Sequence, residues 1–183
     1  MQRISLLLLV LVLFSATAMQ AQAPAPKPNP ELKKLLPLVG HWTYEGEFKP
    51  GPLGPGGKYT GEQSVRMILG GFFMEGQVTE KDASGEVRGL FAQAYDPVNK
   101  NFVFNFFLSD GTIFSAVLNI SGNTWTWAGE VHPAGKQYRY RETVILAADL
   151  TSATQNAEIS VDGKTWTPWC EEKWTKVQAA PKK

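Results

Sequence analysis

Hydrophobic and polar residues alternate along most of the chain from residue 40 onward. In the first alternating segment, Trp42, Tyr44 and Phe48 lie on one face, while Thr43 and Glu45 lie on the other. A period of two is typical of β-strands, because successive side chains of a strand point to opposite faces. Clusters of glycine, proline, asparagine and aspartate separate the alternating segments, and these are typical turn residues. The chain is therefore predicted to be nearly all β.

About ten strands follow from this alternation. Three dipeptides between them, Gly70-Gly71, Asp110-Gly111 and Asp162-Gly163, suit the tight turns of β-hairpins. A meander of this many strands either closes on itself or leaves long edges that can pair with other chains. We therefore predict a closed, antiparallel, up-and-down barrel with strands at 41–48, 59–69, 72–80, 87–95, 102–108, 112–120, 124–131, 137–146, 154–161 and 165–177.

One short helix is predicted before the strands, over residues 30–36. Pro30 stands at a suitable first position, and Pro37 is expected to end the helix. Leu32, Leu35 and Leu36 form one apolar face, which could cap one end of the barrel.

The amino-terminal residues have the composition of a secretory signal peptide. Arg3 supplies a positive charge, an apolar run covers residues 6–14, and the A-x-A pattern of a cleavage site occurs at 16–18 and 21–23. The apolar run is well short of the ~20 residues that cross a bilayer. Residues 1–23 are therefore predicted to be a signal peptide that directs export to a bacterial periplasm or the exterior, with cleavage between residues 18 and 23.

The rest of the chain divides into a spacer, one domain and a tail. Residues 24–30 alternate proline with other residues, which is typical of an extended spacer. The barrel domain is assigned to residues 31–177, and residues 178–183 are expected to be disordered. Cys170 is the only cysteine, so an internal disulfide is excluded, and we interpret it as a small structural residue.

The net charge of the chain does not indicate a strongly charged binding partner. The chain has 18 basic and 17 acidic residues, which nearly cancel. Such a balance offers no electrostatic footprint for nucleic acid or anionic lipid. We expect a monomer with no nucleic-acid partner and no membrane span.

Several sequence segments carry a resemblance to a known family. Gly40-His41-Trp42 opens the first strand and resembles the G-x-W start of the calycins, the group of lipocalins and fatty-acid-binding proteins. The segments 66–73 (RMILGGFF) and 94–96 (AYD) and a Trp/Glu-rich last strand follow in the order seen in a bacterial calycin-like family, domain of unknown function 1579. The resemblance covers residues 31–177 and implies a closed barrel with a central cavity, without implying an activity.

Cofactor, metal and catalytic signatures are not found in the sequence. The related nitrobindins hold haem through a histidine late in the chain, whereas the histidines here are His41 and His132, so no cofactor is predicted. Two scattered histidines and one cysteine do not make the several convergent ligands that a metal site requires. No serine lies in a G-x-S-x-G elbow, so no catalytic residue is assigned.

Aromatic residues are the most prominent feature of the composition, with six tryptophans and ten phenylalanines. By alternation, Trp125 and Trp127 share a face, and Trp166 and Trp174 share another. These rings could fill the core of a barrel, or some could line a ligand cavity, because a ten-stranded barrel is too wide for ordinary side chains to fill. Trp127 is accordingly a candidate ligand contact.

The polar candidates for such a cavity depend on which way one strand faces. Arg139 and Arg141 project to one side of it, opposite the side of Tyr138, Tyr140 and Glu142. Facing inward, the two guanidinium groups could grip an acidic ligand, while facing outward they are ordinary surface charges and the Tyr/Glu side becomes the cavity set. The candidate ligand-binding residues are Arg66, Glu75, Trp127, Arg139, Tyr140 and Arg141.

Three functions remain open at this point. The leading hypothesis is a binding protein that holds a small amphipathic or acidic ligand inside the barrel. An enzyme could use arginine, glutamate and tyrosine in the same cavity for acid–base chemistry. A structural or interaction protein would have a filled barrel and no cavity.

Overall fold

The computed structural model describes residues 25–178. The predicted signal peptide, residues 1–23, lies outside the described residues, as do residue 24 of the spacer and residues 179–183 of the predicted tail. No helix within the described part of the chain is long and apolar enough to cross a membrane.

The described residues form a closed barrel of ten antiparallel strands, so the predicted architecture is confirmed. Each strand pairs with the next one along the chain. The strands are β1 (Gly40–Phe48), β2 (Gly57–Ile68), β3 (Phe73–Asp82), β4 (Gly85–Asp96), β5 (Asn101–Leu108), β6 (Ile113–Ser121), β7 (Thr124–His132), β8 (Tyr138–Leu146), β9 (Ser152–Ser160) and β10 (Thr167–Lys176).

The first and last strands close the barrel. They are antiparallel, and their register runs from Trp42 opposite Lys176 to Phe48 opposite Cys170. This pairing removes both free edges of the meander, which is the usual solution to the edge-strand problem. The Gly70-Gly71 turn also forms as predicted, with φ angles of 69° and 91° that glycine adopts without steric cost.

The segment predicted as a short helix forms a 3₁₀ helix, Pro30–Leu38. The side chain of Asn29 caps its start by accepting a hydrogen bond from the Glu31 N–H at 3.0 Å. Pro37 lies inside this helix and does not end it. Its last turn closes with the Val39 N–H donating to the carbonyl of Leu36 at 3.0 Å, in the tighter pattern of a 3₁₀ helix.

The 3₁₀ helix covers the end of the barrel where β1 begins, which we call the helix end. Leu32, Leu35 and Leu38 are buried there against the core, whereas Leu36 remains half exposed. The indole N–H of Trp42 donates to the carbonyl of Leu38 at 2.8 Å. These contacts fix the helix to the first strand and shut this end.

Aromatic rings pack at the opposite end, where β1 ends, which we call the loop end. Phe48 stacks on Tyr59 with ring centroids 4.1 Å apart, and Trp169 lies 5.8 Å from Phe48 on its other side. Trp169 also stacks on Phe114 at 5.9 Å. Eleven aromatic residues of the described chain are buried: Trp42, Tyr44, Tyr59, Phe91, Phe102, Phe114, Trp125, Trp127, Tyr138, Tyr140 and Trp174.

One face assignment from the sequence is wrong. Trp166 was expected to share a face with Trp174, but it lies outside the barrel, where the guanidinium of Arg141 sits 4.2 Å from its ring centre. The register of β10 shifts between Pro168 and Cys170. This β-bulge adds one residue to the strand, so even-numbered residues before it and after it point to opposite faces of the sheet.

Trp42 should be a main anchor of the fold, because its side chain is fully buried and hydrogen-bonded. Replacing Trp42 with alanine removes a large buried ring and is expected to lower the free energy of unfolding by about 3–5 kcal/mol in denaturant melts. Trp166→Ala, on the outer surface, is the matched control and should cost less than about 1 kcal/mol. Equal effects of the two substitutions would contradict this account of the helix end.

Candidate functional site

The two arginines of β8 face the outside of the barrel. Arg139 pairs with Glu130 at 2.9 Å, and Arg141 pairs with Glu158 at 2.6 Å, with side chains 59% and 44% exposed. Of the two orientations that the sequence left open for β8, the structure therefore has the one in which the arginines face outward. Alternation alone did not tell which of the two sides of β8 is the inner one.

Two further candidate ligand-binding residues, Arg66 and Glu75, form an ion pair on the outer face. Arg66 and Glu75 face each other across β2 and β3 with an N–O distance of 3.1 Å. The side chain of Arg66 is 67% exposed, so it cannot reach an interior ligand. Neighbouring positions on these strands, such as Val65 and Met74, are buried instead.

Tyr140 and Trp127 are the two predicted site residues that the structure places inside. Both are buried, with 3% and 4% exposure. Trp127 is the cross-strand neighbour of Glu142, which belongs to the alternative set of β8. The structure thus selects the Tyr/Glu side of β8.

Three glutamates bring their carboxyl groups into the barrel. Glu80 lies near the end of β3, Glu142 lies in the middle of β8, and Glu172 lies in β10. Each carboxyl group is withdrawn from solvent, because each residue alternates with buried neighbours on the inner face of its strand. We call these three residues the carboxyl cluster.

Each glutamate of the carboxyl cluster accepts a hydrogen bond from one tyrosine. The hydroxyl of Tyr44 donates to Glu80 at 2.9 Å, and the hydroxyls of Tyr59 and Tyr140 donate to Glu172 and Glu142. The indole N–H of Trp174 also donates to Glu172. Buried polar groups are tolerated when they are hydrogen-bonded, and these donors partly meet that need.

Inward-facing glycines make room for two of these tyrosines. A Cβ atom at Gly61 would lie 2.3 Å from the ring of Tyr44, and one at Gly46 would lie 2.7 Å from the ring of Tyr59. Each ring therefore lies over a glycine on the neighbouring strand. This close approach brings the two hydroxyl groups to Glu80 and Glu172.

Burial is the largest influence on the pKa values of the three glutamates in the carboxyl cluster. It raises the pKa of Glu172 to about 7, although the hydrogen bonds from Tyr59 and Trp174 act in the opposite direction. Burial raises the pKa of Glu142 well above its ordinary value, and the charges of Glu172 and Glu80 raise it further. Desolvation likewise raises the pKa of Glu80. A low-dielectric interior disfavours the charged form of each carboxyl group.

No basic side chain of residues 25–178 offsets these carboxyl groups. The interior Lys176 lies at the helix end, where its ammonium group donates to the carbonyl of Pro37 at 3.0 Å and sits 5.0 Å from the ring centre of Trp42. The partly buried Lys49 pairs with Glu47 and Glu171 on the outer surface. Among the described residues, no group of three His, Cys, Asp or Glu side chains is arranged to hold a metal ion.

Two further interior side chains have polar atoms without a hydrogen-bond partner among the described residues. They are the amide of Gln93, at 1% exposure, and the indole N–H of Trp127, at 4% exposure. Phe104 connects them, since it is the cross-strand neighbour of Gln93 and its ring centre lies 6.2 Å from that of Trp127. Unpaired polar groups this deeply buried are uncommon and call for an explanation.

A surface depression borders the carboxyl cluster from outside. Two overlapping depressions, of about 690 Å³ and about 820 Å³, run across the outer face of β1, β2, β3 and β10. The larger one also extends over β9, and its lining includes Tyr59, Gln155 and Glu172, which belong to the inner face. Glu172 of the carboxyl cluster therefore contributes to the lining of this depression.

Sequence reasoning missed most of this cluster. Glu172 alternates with Cys170 and Trp174, and Glu80 alternates with Val78, so parity with an apolar neighbour was a usable signal for both. It was overlooked because glutamate is almost never fully buried without a partner. The pairing of Tyr59 with Glu172 had no local signal, since 113 positions separate the two residues.

Gly61 should be coupled energetically to Tyr44. Gly61→Ala places a methyl group against the Tyr44 ring and is expected to destabilise the fold by about 1–3 kcal/mol, the scale of overpacking. With Tyr44→Ala as background, the same change should cost about 1 kcal/mol less, because the clashing ring is gone. Denaturant melts of the two single variants and the double variant measure this coupling, and strictly additive effects would contradict the packing described.

Comparisons with solved structures agree with the fold. The chain is similar to the crystal structure of Rv2717c from M. tuberculosis, with a TM-score of 0.60, 14% sequence identity, and coverage of 83% of this chain and 100% of that chain. A de novo designed fluorescence-activating β-barrel gives a TM-score of 0.40 and 12% identity over 78% of this chain and 95% of that one, which is too distant to carry an argument. At these identities the likeness shows the fold alone.

The sequence itself identifies the family. No curated protein matches it. The family described as "Protein of unknown function (DUF1579)" matches residues 27–176, which include every strand of the barrel and the whole carboxyl cluster. The chain therefore belongs to this DUF1579 family.

Proposed function

We propose that this protein is an exported, calycin-like binding protein that holds a small, partly apolar molecule inside its barrel. The observation that carries the proposal is a pair of deeply buried polar side chains, Gln93 and Trp127, that have no hydrogen-bond partner among the described residues. Trp127 is also the cross-strand neighbour of Glu142 in the carboxyl cluster. A barrel interior built only for stability gains nothing from such groups, because each costs about 1–3 kcal/mol when left without a partner. A bound molecule with its own polar groups removes this cost.

The surroundings of these groups suit a ligand with an apolar body. Phe91, Phe104 and Phe106 pack against one another near Gln93, with centroid distances of 5.6–6.2 Å. Binding sites for small molecules are generally lined by aromatic side chains with a few polar groups that fix orientation. The interior of this barrel has that composition.

An acidic head group is not part of this proposal. The arginines that would have gripped it, Arg66, Arg139 and Arg141, all lie on the outer face and pair with glutamates. An anion placed in the interior would meet three carboxyl groups and no adjacent cation among the described residues. The ligand is therefore neutral or cationic at its polar end.

The export part of the proposal is supported by the amino-acid sequence alone. Residues 1–23 carry the charge, apolar run and A-x-A pattern of a signal peptide. A binding protein outside the cytoplasm would meet small molecules that enter the envelope.

The proposal predicts that a small molecule stays with the protein during purification. The full chain, expressed in a bacterial host and purified without denaturation, should show an extra mass in native mass spectrometry, and unfolding should release it. Trp127→Phe and Gln93→Met keep the apolar volume but remove the unpaired groups, so they should lower the retained fraction. Trp166→Phe, on the outer surface, is the matched control and should leave it unchanged.

The same experiment can contradict the proposal. If wild-type protein carries no extra mass, and if both interior variants raise the melting temperature while the control does not, the barrel is a filled structural core. An increase in stability with no retained molecule to lose would show that the unpaired polar groups of Gln93 and Trp127 do not bind a ligand.

A further inference from the structure

We infer that the ligand of the interior site is a small organic amine that binds in its cationic form and also carries a hydrogen-bond acceptor. This inference rests on the proposed function, because it names the chemistry of the molecule held at the same site. It is carried by two independent features of the interior: the carboxyl cluster without a neighbouring cation, and the unpaired side chains of Gln93 and Trp127.

The charge balance inside the barrel favours a cation. The titratable side chains that point inward near the cluster are Glu80 on β3, Glu142 on β8, Glu172 and Cys170 on β10, and Tyr44, Tyr59 and Tyr140 on β1, β2 and β8. All of these are neutral or negative when they ionise. Asp82 and Asp110 add negative potential at Glu80 from the loop end. Ionisation of any of these carboxyl groups would therefore leave a buried negative charge that no basic side chain among the described residues near the cluster offsets, and an ammonium group on the ligand would offset it.

The unpaired side chains specify the rest of the polar end. The carbonyl oxygen of Gln93 can accept a hydrogen bond from an ammonium group, as can the carboxyl groups. The indole N–H of Trp127 is a donor only, so it requires an acceptor. A hydroxyl or carbonyl oxygen on the ligand would satisfy it. Trp127 and Glu142 are cross-strand neighbours on the inner face, so both can contact one ligand.

Aromatic faces complete the environment of a cation. Tyr140 packs edge-on against both Phe114 and Trp169, with ring centroids 5.3 Å and 6.1 Å away. Tryptophan, tyrosine and phenylalanine rings attract ammonium groups through their negative faces. An amine next to Glu142 therefore finds both a carboxyl group and π-faces within one layer of the barrel.

Binding of such an amine should depend on pH in a defined direction. The pKa of Glu172 is raised to about 7 by burial, so this carboxyl group becomes negative only above neutral pH in the empty protein. An alkylammonium keeps its charge up to about pH 10. Affinity should therefore rise as the pH rises through about 7, and binding should release protons to the buffer.

The test uses three probes with one body and different heads: tyramine, its alcohol 2-(4-hydroxyphenyl)ethanol, and its acid 3-(4-hydroxyphenyl)propionate. Isothermal titration of the full chain, unfolded to remove any bound molecule and then refolded, is carried out at about pH 6 and about pH 8. Tyramine should bind about tenfold more tightly than the alcohol, with the acid weakest. Its affinity should increase about tenfold between the two pH values, with proton uptake by the buffer.

Two variants separate the site from the fold. Glu172→Gln keeps the size of the side chain and an oxygen that can accept from Tyr59, and should lower the affinity for tyramine at about pH 8 about tenfold, with little effect on the alcohol. Glu158→Gln removes a carboxyl group from the outer face of the adjoining strand and should leave all three affinities unchanged.

The possible failures are distinguishable. If the acid binds more tightly than tyramine, or if tyramine affinity falls between the two pH values, the cationic ligand is wrong while the binding function stands. If none of the three probes binds at millimolar concentration and native mass spectrometry finds no retained molecule, both the ligand class and the binding function are overturned.

Discussion

The pairing of β1 with β10 is the constraint on which the rest of the structure depends. It joins the two ends of a ten-stranded meander and leaves a closed interior with no sheet edge. An interior of that width cannot be filled by aliphatic side chains alone. Aromatic rings pack along it, held at one end by the 3₁₀ helix against Trp42 and at the other by the stack of Phe48 on Tyr59. What lies between these two ends is shielded from water.

Shielding determines the chemistry of the carboxyl cluster. Glutamates at Glu80, Glu142 and Glu172 would be ordinary anions on the surface, but burial favours their protonated forms. Tyr44 and Tyr59, which donate to Glu80 and Glu172, approach these carboxyl groups because Gly61 and Gly46 leave space for their rings. Backbone composition, aromatic packing and protonation are therefore linked: a methyl group on either glycine displaces a ring, and a displaced ring removes a donor from a buried carboxyl group.

Sequence pattern predicts the fold of this chain far better than its site. The period of two places all ten strands within a few residues of their observed bounds, because strand alternation is a local property. Alternation shows which residues share a face of a strand, but it does not show which face points into the barrel. For this reason either the arginine side or the tyrosine side of β8 could have been the inner one. The bulge between Pro168 and Cys170 reversed the parity assigned to Trp166. The Tyr–Glu pairs join distant strands, so they emerge only once the barrel closes.

The central claim is that the barrel interior holds glutamates whose carboxyl pKa values are raised by burial. Carbon-13 NMR of protein labelled in its glutamate side chains measures this most directly, by following every carboxyl signal with pH. The account predicts a titration midpoint at about 7 for Glu172 and midpoints above the ordinary glutamate value for Glu80 and Glu142. Each signal is assigned by its loss in the corresponding Glu→Gln variant. Midpoints near the ordinary value of about 4.3 for all glutamates would contradict it.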